Sequence, residues 1–197
     1  MKVRACGDRA VLLDCASLPE AQAWHAALKH LGPVLGARTV LLRGDVPHLR
    51  EAVAHATPMA PEAVAQDLDP GDAVIIPVVY DGADLDEVGR LTGLGARGVV
   101  EAHSSATWVA AFTGFAPGFA YLTGSEPRLA VPRRDQPRPA VPAGAVALAG
   151  EFSGIYPRSS PGGWQLIGRT DAVLFDVDRT PPALLTPGTR VRFEASR

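Results

Sequence analysis

Gly114-Phe115-Ala116-Pro117-Gly118-Phe119-Ala120-Tyr121-Leu122 is the stretch on which the reading of this chain turns. Two Gly-Phe pairs frame a proline, so permissive and fixed φ alternate within a few residues and force a tight bend. Aromatic rings flank the bend on both sides. A turn of this kind packs a sheet corner or lines a pocket, because rings placed there bury a large area. Composition changes near residue 105: alanine-rich helical stretches lie before it, and most of the prolines and aromatics lie after it.

Working outward, residues 3–5 and 10–13 read as short strands around a Cys6-Gly7-Asp8 turn. Ser17-Leu18-Pro19-Glu20 is a capping box with proline where a missing N–H costs nothing, and it opens a helix to about Leu31, stopped by Gly32-Pro33. A strand at 38–42, a helix at 47–55, a loop rich in proline and acid, and an apolar strand at 73–80 follow. Pro77 places that last strand at an edge or a bulge. The order predicts a small α+β domain, ferredoxin-like, over residues 1–80, with helices on one face of an antiparallel sheet.

Asp84 and Glu87 repeat the capping pattern before a short helix that ends at Gly93, and residues 96–103 form a second. This pair makes a helical linker over 81–105. From 106 to 197 short strands alternate with turns, at 108–112, 145–149, 164–167, 173–175 and 190–193, which predicts a closed or nearly closed β-barrel.

Bulk properties exclude several classes. A charged fraction of 20% and a net charge of -2 argue against nucleic acid as a partner. No window is apolar enough to span a membrane, and Lys2 and Arg4 run into a strand pattern rather than a secretory signal, so a cytoplasmic location is expected. Cys6 and Cys15 fit no zinc or redox spacing and read as buried thiols. No Cys/His metal cluster, phosphate-binding loop or Ser-His-Asp arrangement can be assembled from the spacing, so no metal site is expected from side chains.

A second pattern lies downstream: Val141-Pro142-Ala143-Gly144, Gly154-Ile155-Tyr156-Pro157, then Ser160-Pro161-Gly162-Gly163-Trp164-Gln165-Leu166-Ile167-Gly168-Arg169-Thr170. Leu174-Phe175-Asp176, the run from Pro181 to Leu185 and the run from Pro187 to Phe193 complete it. Together with residues 114–122 it closely resembles the family of the 5-oxoprolinase B subunit, also known as allophanate hydrolase subunit 1, over about the last two thirds of the chain. The resemblance implies a small α+β domain followed by a cyclophilin-like β-barrel. It further implies two partners, a C subunit with a related barrel and a separate A subunit. The three together open 5-oxoproline to glutamate with ATP hydrolysis, Mg accompanying the ATP. A sporulation-kinase inhibitor belongs to the same family, and a related barrel pair occurs in the biotin-dependent carboxyltransferase part of urea carboxylase. A kinase regulator and an allophanate- or urea-type module are thus the alternatives. The only lysines are Lys2 and Lys29, so biotin would have to arrive on another protein.

Opening a lactam requires an electrophilic carbonyl and groups that stabilise transferred phosphoryl charge. His103 is the expected acid–base or orienting residue, since histidine alone titrates near neutrality and the family has a His-Ser pair there. The alternative is a hydrogen-bonded helix-terminal histidine whose cation the macrodipole favours. Arg128, Arg133, Arg134 and Arg138 form a guanidinium-rich loop suited to carboxylate or phosphate, and the resemblance points to Arg133 as the one facing substrate. Gln165 and Arg169, at i and i+4 on one strand, are expected to share a face, with the Gln165 amide suited to a lactam or urea group. Gly162 and Gly163 would let backbone approach a ligand, and Tyr156 would offer a rim hydroxyl, as could Tyr121. Trp164 reads as core. The family often carries two glutamines shortly before its Gly-Ile-Tyr-Pro run; Glu151 and Phe152 stand there in this chain. Read with these motifs, the turn at 114–119 marks where the helical linker enters the barrel, its rings bracing that entry.

Overall fold

The computed structural model describes residues 1–59 and 73–196. The chain divides into two compact units, residues 1–69 and 70–197. The first begins with strands β1 (Lys2–Ala5) and β2 (Ala10–Asp14), a hairpin closed through Cys6 N–H to Ala10 C=O. Helix α1 (Leu18–Ala27) follows, then β3 (Val34–Leu35), β4 (Thr39–Arg43) and α2 (Val46–His55). The sheet order β1-β2-β4-β3 is antiparallel throughout. Alternation along β2 and β4 turns Val11, Leu13, Val40 and Leu42 to one face, where Ala21, Leu28, Leu49 and Val53 cover them. The small α+β unit with its helices on one face is thus present. Its element order among the described residues is ββαββα, and two hairpins, each followed by a helix, build it.

Local chemistry sets the helix starts. Ser17 Oγ accepts from Glu20 N–H, and Glu20 reaches back to Ala16 N–H at 2.6 Å and to the terminal amine at 2.8 Å. Asp45 caps α2 by accepting from His48 N–H. The helix expected to run to Leu31 ends at Ala27; a 3₁₀ turn at Lys29–Leu31 completes it, and Gly32 stops the chain in the left-handed region. Cys15 is buried in this core, whereas Cys6 is exposed, contrary to the expectation of two buried thiols.

The second unit contains β5 (Val74–Val78), α3 (Leu85–Thr92), α4 (Gly95–Ser105), β6 (Trp108–Thr113) and β7 (Ala120–Gly124). After these come β8 (Arg138–Val141), β9 (Ala145–Ala149), β10 (Phe152–Ile155), β11 (Ser160–Gly162), β12 (Gln165–Arg169) and β13 (Arg190–Ala195). Seven strands form one sheet in the order β12-β9-β10-β7-β6-β13-β5, and β8 pairs with β11. Strand β5, expected to complete the N-terminal sheet, instead pairs in parallel with β13. Its alternate residues Ile76 and Val78 point into the barrel core while Ile75 stays half exposed. Pro77 does fall on the terminal strand of its sheet, where no ladder N–H is needed. The strand expected at 173–175 is reduced to a single bridge between Phe175 and Ala183.

The two ends of the seven-stranded sheet meet. Val79 and Arg169 exchange backbone hydrogen bonds at 2.9 Å each, Gly82 N–H donates to Ile167 C=O, and Asp84 N–H donates to Leu166 C=O. The segment after β5 therefore covers the free edge of β12 and nearly closes the barrel. Inside lie Ile76, Val78, Leu122, Leu148, Ile155, Ile167, Val191 and Phe193, packed with Val88 of α3 and Val99 of α4. The turn at 114–119 is the tip of the β6–β7 hairpin, at the far end of β6 from the helical linker. It packs a sheet corner and does not brace the linker entry.

Closure leaves no room at Gly82. A Cβ there would collide with backbone atoms of Ile167 and Leu166, which cannot swing away as a side chain could. Gly82→Ala is expected to destabilise the protein by about 2 kcal/mol, measured by chemical unfolding. Gly114→Ala, whose new methyl would meet only Tyr121 at 3.9 Å, should be near neutral. Equal effects would contradict this account of the seam.

Candidate functional site

Strand β9 is buried on both faces, and its sequence alternates small and large. Val146 and Leu148 fill the barrel, while Ala145, Ala147 and Ala149 leave space on the other face. Aromatic rings occupy that space. Phe119 is the hub, edge-on to Tyr121 at 5.0 Å, Trp164 at 5.5 Å and Tyr156 at 5.6 Å. Tyr121 stacks on Phe112 at 4.4 Å, and Phe152 stands edge-on to both. Edge-to-face pairs contribute about 0.5–1.5 kcal/mol each beyond their buried area. Trp164 is core, as expected. Gly154 is required here, since a Cβ would press on Phe119 and Trp164.

Phe115 departs from this order. It holds φ at +67°, the left-handed region that costs a bulky residue about 1–3 kcal/mol, and it remains 56% exposed. Its ring leans on Phe119 and Tyr156 at 5.2 and 6.0 Å. The strained turn thus presents an aromatic face to the outside beside the Tyr156 hydroxyl. Tyr156 hangs over Gly162, where a Cβ would strike its hydroxyl. Burial raises the Tyr156 pKa, and the Trp164 backbone and the charge of Arg133 partly offset it. Burial likewise raises Tyr121, again opposed by Arg133. Arg133 is exposed, its charge acts on both hydroxyls, and among the described residues it is the arginine of its loop with no ion pair. Arg128 is paired with Glu126.

Arg134 and Arg138 are committed elsewhere. Both donate to the same oxygen of Asp84, at 2.7 and 2.8 Å, and the other oxygen accepts Leu166 N–H at 2.7 Å. Asp84, expected to cap α3, makes no side-chain cap and is only 3% exposed. Burial alone would push its carboxyl up. The Arg138 and Leu166 hydrogen bonds and the two guanidinium charges more than offset that and hold it below the ordinary carboxylate range. Sequence reading missed this role because the partners lie 50 and 54 residues away. A capping pattern and a buried-anion pattern also begin with the same Asp. The only available signal was a surplus of arginine in residues 128–138 with few local acids.

The remaining expected residues separate. Gln165 is 5% exposed, donates Nε2–H to Pro132 C=O at 3.2 Å, and sits opposite Leu148 on the barrel face. Arg169 sits opposite Ala145, on the other face, and pairs with Asp81 at 2.9 Å. A bulge between Leu166 and Gly168 inserts one residue, so i and i+4 no longer share a face. Gly163 C=O accepts Arg134 N–H at 2.8 Å, which seats the arginine loop on the start of β12. The structure therefore brings Tyr156 and Gly162 together, seats the loop that carries Arg133 on Gly163 and, through Pro132, on Gln165, and leaves Arg169 and His103 apart from them.

His103 is fully buried, between Tyr80 Oη at 2.8 Å on Nδ1 and Ser153 Oγ at 2.9 Å on Nε2. Its ring stacks on Phe193 at 4.3 Å, and its carbonyl accepts the Trp108 indole N–H. Burial lowers its pKa to about 3. The helix C-terminus favours the cation by at most about 2 kcal/mol, too little to balance that desolvation. It is a hydrogen-bonded helix-end histidine, but a neutral one, and as placed neither ring nitrogen is left for a substrate. A surface cleft of about 300 Å³ opens elsewhere, at the barrel seam, lined by Pro77, Val79, Arg169, Thr170, Asp171, Ala172 and Ser196. It shares only Arg169 with the expected site. Among the described residues no three His, Cys, Asp or Glu side chains gather as metal ligands, and no helix is long and apolar enough to cross a membrane.

Residues 1–185 match the carboxyltransferase domain, subdomain C and D. The chain is 45% identical over 165 residues to the 5-oxoprolinase B subunit of Escherichia coli O157:H7, covering 82% of this chain and 75% of that one. It is 43% identical over 134 residues to the 5-oxoprolinase B subunit of Bacillus subtilis (strain 168), covering 66% and 56%. Among solved structures it is similar to TTHA0988, with a TM-score of 0.75 and 34% identity over 96% of this chain and 40% of that one. It shares its fold with the Kluyveromyces lactis urea carboxylase, with a TM-score of 0.71, 18% identity, and 99% and 22% covered. The chain thus spans three quarters of the first relative, little more than half of the second, and a minority of both solved chains.

Because His103 is neutral when folded but titrates near 6.5 when unfolded, acid favours the unfolded chain. Its contribution is fully retained above pH 6.5 and falls by about 1.4 kcal/mol per pH unit between 6.5 and 3. Unfolding free energies at pH 7 and 5 should fall by about 2 kcal/mol more in the native protein than in His103→Gln. Identical pH slopes would contradict the buried neutral imidazole.

Proposed function

The chain belongs to the family of carboxyltransferase domains, subdomain C and D, that includes the B subunit of 5-oxoprolinase, and we propose that it is one component of an ATP-dependent 5-oxoprolinase. In this role it supplies part of a site that opens the lactam of 5-oxoproline to glutamate. The C subunit, with its related barrel, completes that site together with the A subunit. The chain works in the cytoplasm and is inactive alone. The observation behind the proposal is the meeting of the two sequence motifs in one place. The strained Phe115 turn and the Ser160–Gln165 run lie together, with Tyr156 over Gly162 and the unpaired Arg133 at the edge.

Hydrolysis of a lactam needs its oxygen made a better electron sink, which ATP supplies by phosphorylating it. The donor set suits part of that task. Arg133 can pair with a phosphate or carboxylate bidentately without first breaking an ion pair. The chain has no glycine-rich phosphate loop, so a guanidinium rather than a backbone cradle is its contribution to ATP, with Mg arriving on the nucleotide. The aromatic face would hold the apolar edge of a five-membered ring and exclude water. Tyr156 would donate to a carbonyl, its hydroxyl kept protonated by burial. Exposed apolar side chains beside this face support a protein partner there: Phe115, then Val173, Phe175 and Val177 on the loop that packs against Gly118.

The test is assembly with the other two components and measurement of glutamate released from 5-oxoproline with ATP. Arg133→Gln should lower kcat/KM by roughly tenfold or more with no change in unfolding midpoint, since it breaks no ion pair. A folded, assembled complex that releases no glutamate would overturn the proposal. An unchanged rate in the variant would remove Arg133 from the site.

A further inference from the structure

Four buried side-chain polar atoms among the described residues have no protein partner, and three belong to one knot of side chains: Arg134 Nε, Arg138 Nη1 and Gln165 Oε1. The knot is tied by Asp84, one of whose oxygens takes both guanidiniums while the other takes the N–H of Leu166, next in the chain to Gln165. The orientation of the Gln165 amide follows from its partner: Pro132 C=O only accepts, so the nitrogen must face it and the oxygen must face away. Each unpaired buried atom costs the fold, and buried polar groups are ordinarily satisfied.

The charge does not balance either. Two guanidiniums share one carboxylate, which leaves the knot at one net positive charge, and each spends only one of its five N–H groups on Asp84. Asp84 is almost wholly buried and Gln165 nearly so, which makes this a built arrangement rather than a surface coincidence. The unmet demands are two cationic donors and one neutral acceptor. An anion satisfies the donors; an adjacent N–H satisfies the acceptor.

We infer that Arg134, Arg138 and Gln165 form a binding site for a carboxylate whose α-carbon carries an amide N–H, the two guanidiniums taking the carboxylate and Gln165 Oε1 the N–H. The inference rests on the 5-oxoprolinase reading for its choice among such compounds, because 5-oxoproline carries its lactam N–H on the carbon that bears the carboxylate. The Gln165–Pro132 hydrogen bond, at 3.2 Å, stays in place on binding and keeps Oε1 turned toward the ligand. Asp84 is a positioning residue here: it touches the arginines and not the ligand.

Calorimetric titration of the full chain with three compounds tests this without any variant. The probes are 5-oxoproline, its carboxamide and the corresponding lactone acid with ring oxygen in place of N–H. 5-Oxoproline should bind, the carboxamide should lose ~100-fold and the lactone acid ~10-fold. Gln165→Met should weaken 5-oxoproline but not the lactone acid. Inorganic phosphate that competes at equal affinity, or carboxamide and lactone that bind as well as 5-oxoproline, would overturn the inference. So would no binding at all, the mark of a knot satisfied by an ordered water. Ligand binding with this pattern in a complex that releases no glutamate would sink the functional reading alone; turnover unchanged by Gln165→Met would sink this one alone.

Discussion

A single buried carboxylate organises the arginine-bearing end of the second unit. Asp84 sits where the segment after β5 crosses β12, accepts from the Leu166 backbone, and fixes two arginines contributed from fifty or more residues along the chain. Burying a lone carboxylate costs several kcal/mol, so it persists only because three donors face it. The consequence is geometric. The loop of residues 132–138 has few apolar anchors of its own, and Asp84 with the Gly163 carbonyl holds it over the start of β12. Barrel closure and placement of the arginines are thus one event, because the same residue donates its backbone N–H to Leu166 and lends its side chain to the guanidiniums.

The sheet then separates two environments. Val146 and Leu148 look into a barrel where His103 is held neutral between Tyr80 and Ser153. The alanines of β9 look out onto the rings gathered around Phe119. Neighbours on β10 repeat the division, Ser153 reaching His103 and Gly154 making way for Phe119 and Trp164. An apolar ring face and the Tyr156 hydroxyl lie on one side, and a hydrogen-bonded core lies on the other. The histidine's contribution is to keep α4, the Tyr80 segment and β10 in register, so that the outer face keeps its shape.

Much of this was legible in the sequence where the cause is local. The cap at Ser17, the β1–β2 hairpin, the helical pair before the barrel and the β-rich second half follow from neighbouring residues and periodicity. The motifs around Phe119 and Trp164 marked the aromatic face, and Arg133 stands near it while its neighbours turn to Asp84. What could not be read depends on distant partners or on a single inserted residue. The bulge before Gly168 sends Gln165 and Arg169 to opposite faces although their spacing on an ideal strand puts them together. Strand β5 finds β13 across more than a hundred residues. Asp84 resembles a helix cap in every local respect, and only the folded chain shows that its oxygens are spent on Arg134, Arg138 and Leu166. His103 carries the side chain of an acid–base catalyst, but its burial depends on Phe193 and Ser153, both far along the chain and outside any local pattern.

The dependence of this end of the molecule on Asp84 is tested most directly by a double-mutant cycle between Asp84→Asn and Arg138→Gln, read as unfolding free energies at neutral pH. A carboxylate buried and shared as described should give a coupling of about 2 kcal/mol or more, with Asp84→Asn alone costing about 3–5 kcal/mol. Additive effects, with no coupling between the two positions, would contradict the account and return Asp84 to the role of an ordinary helix cap.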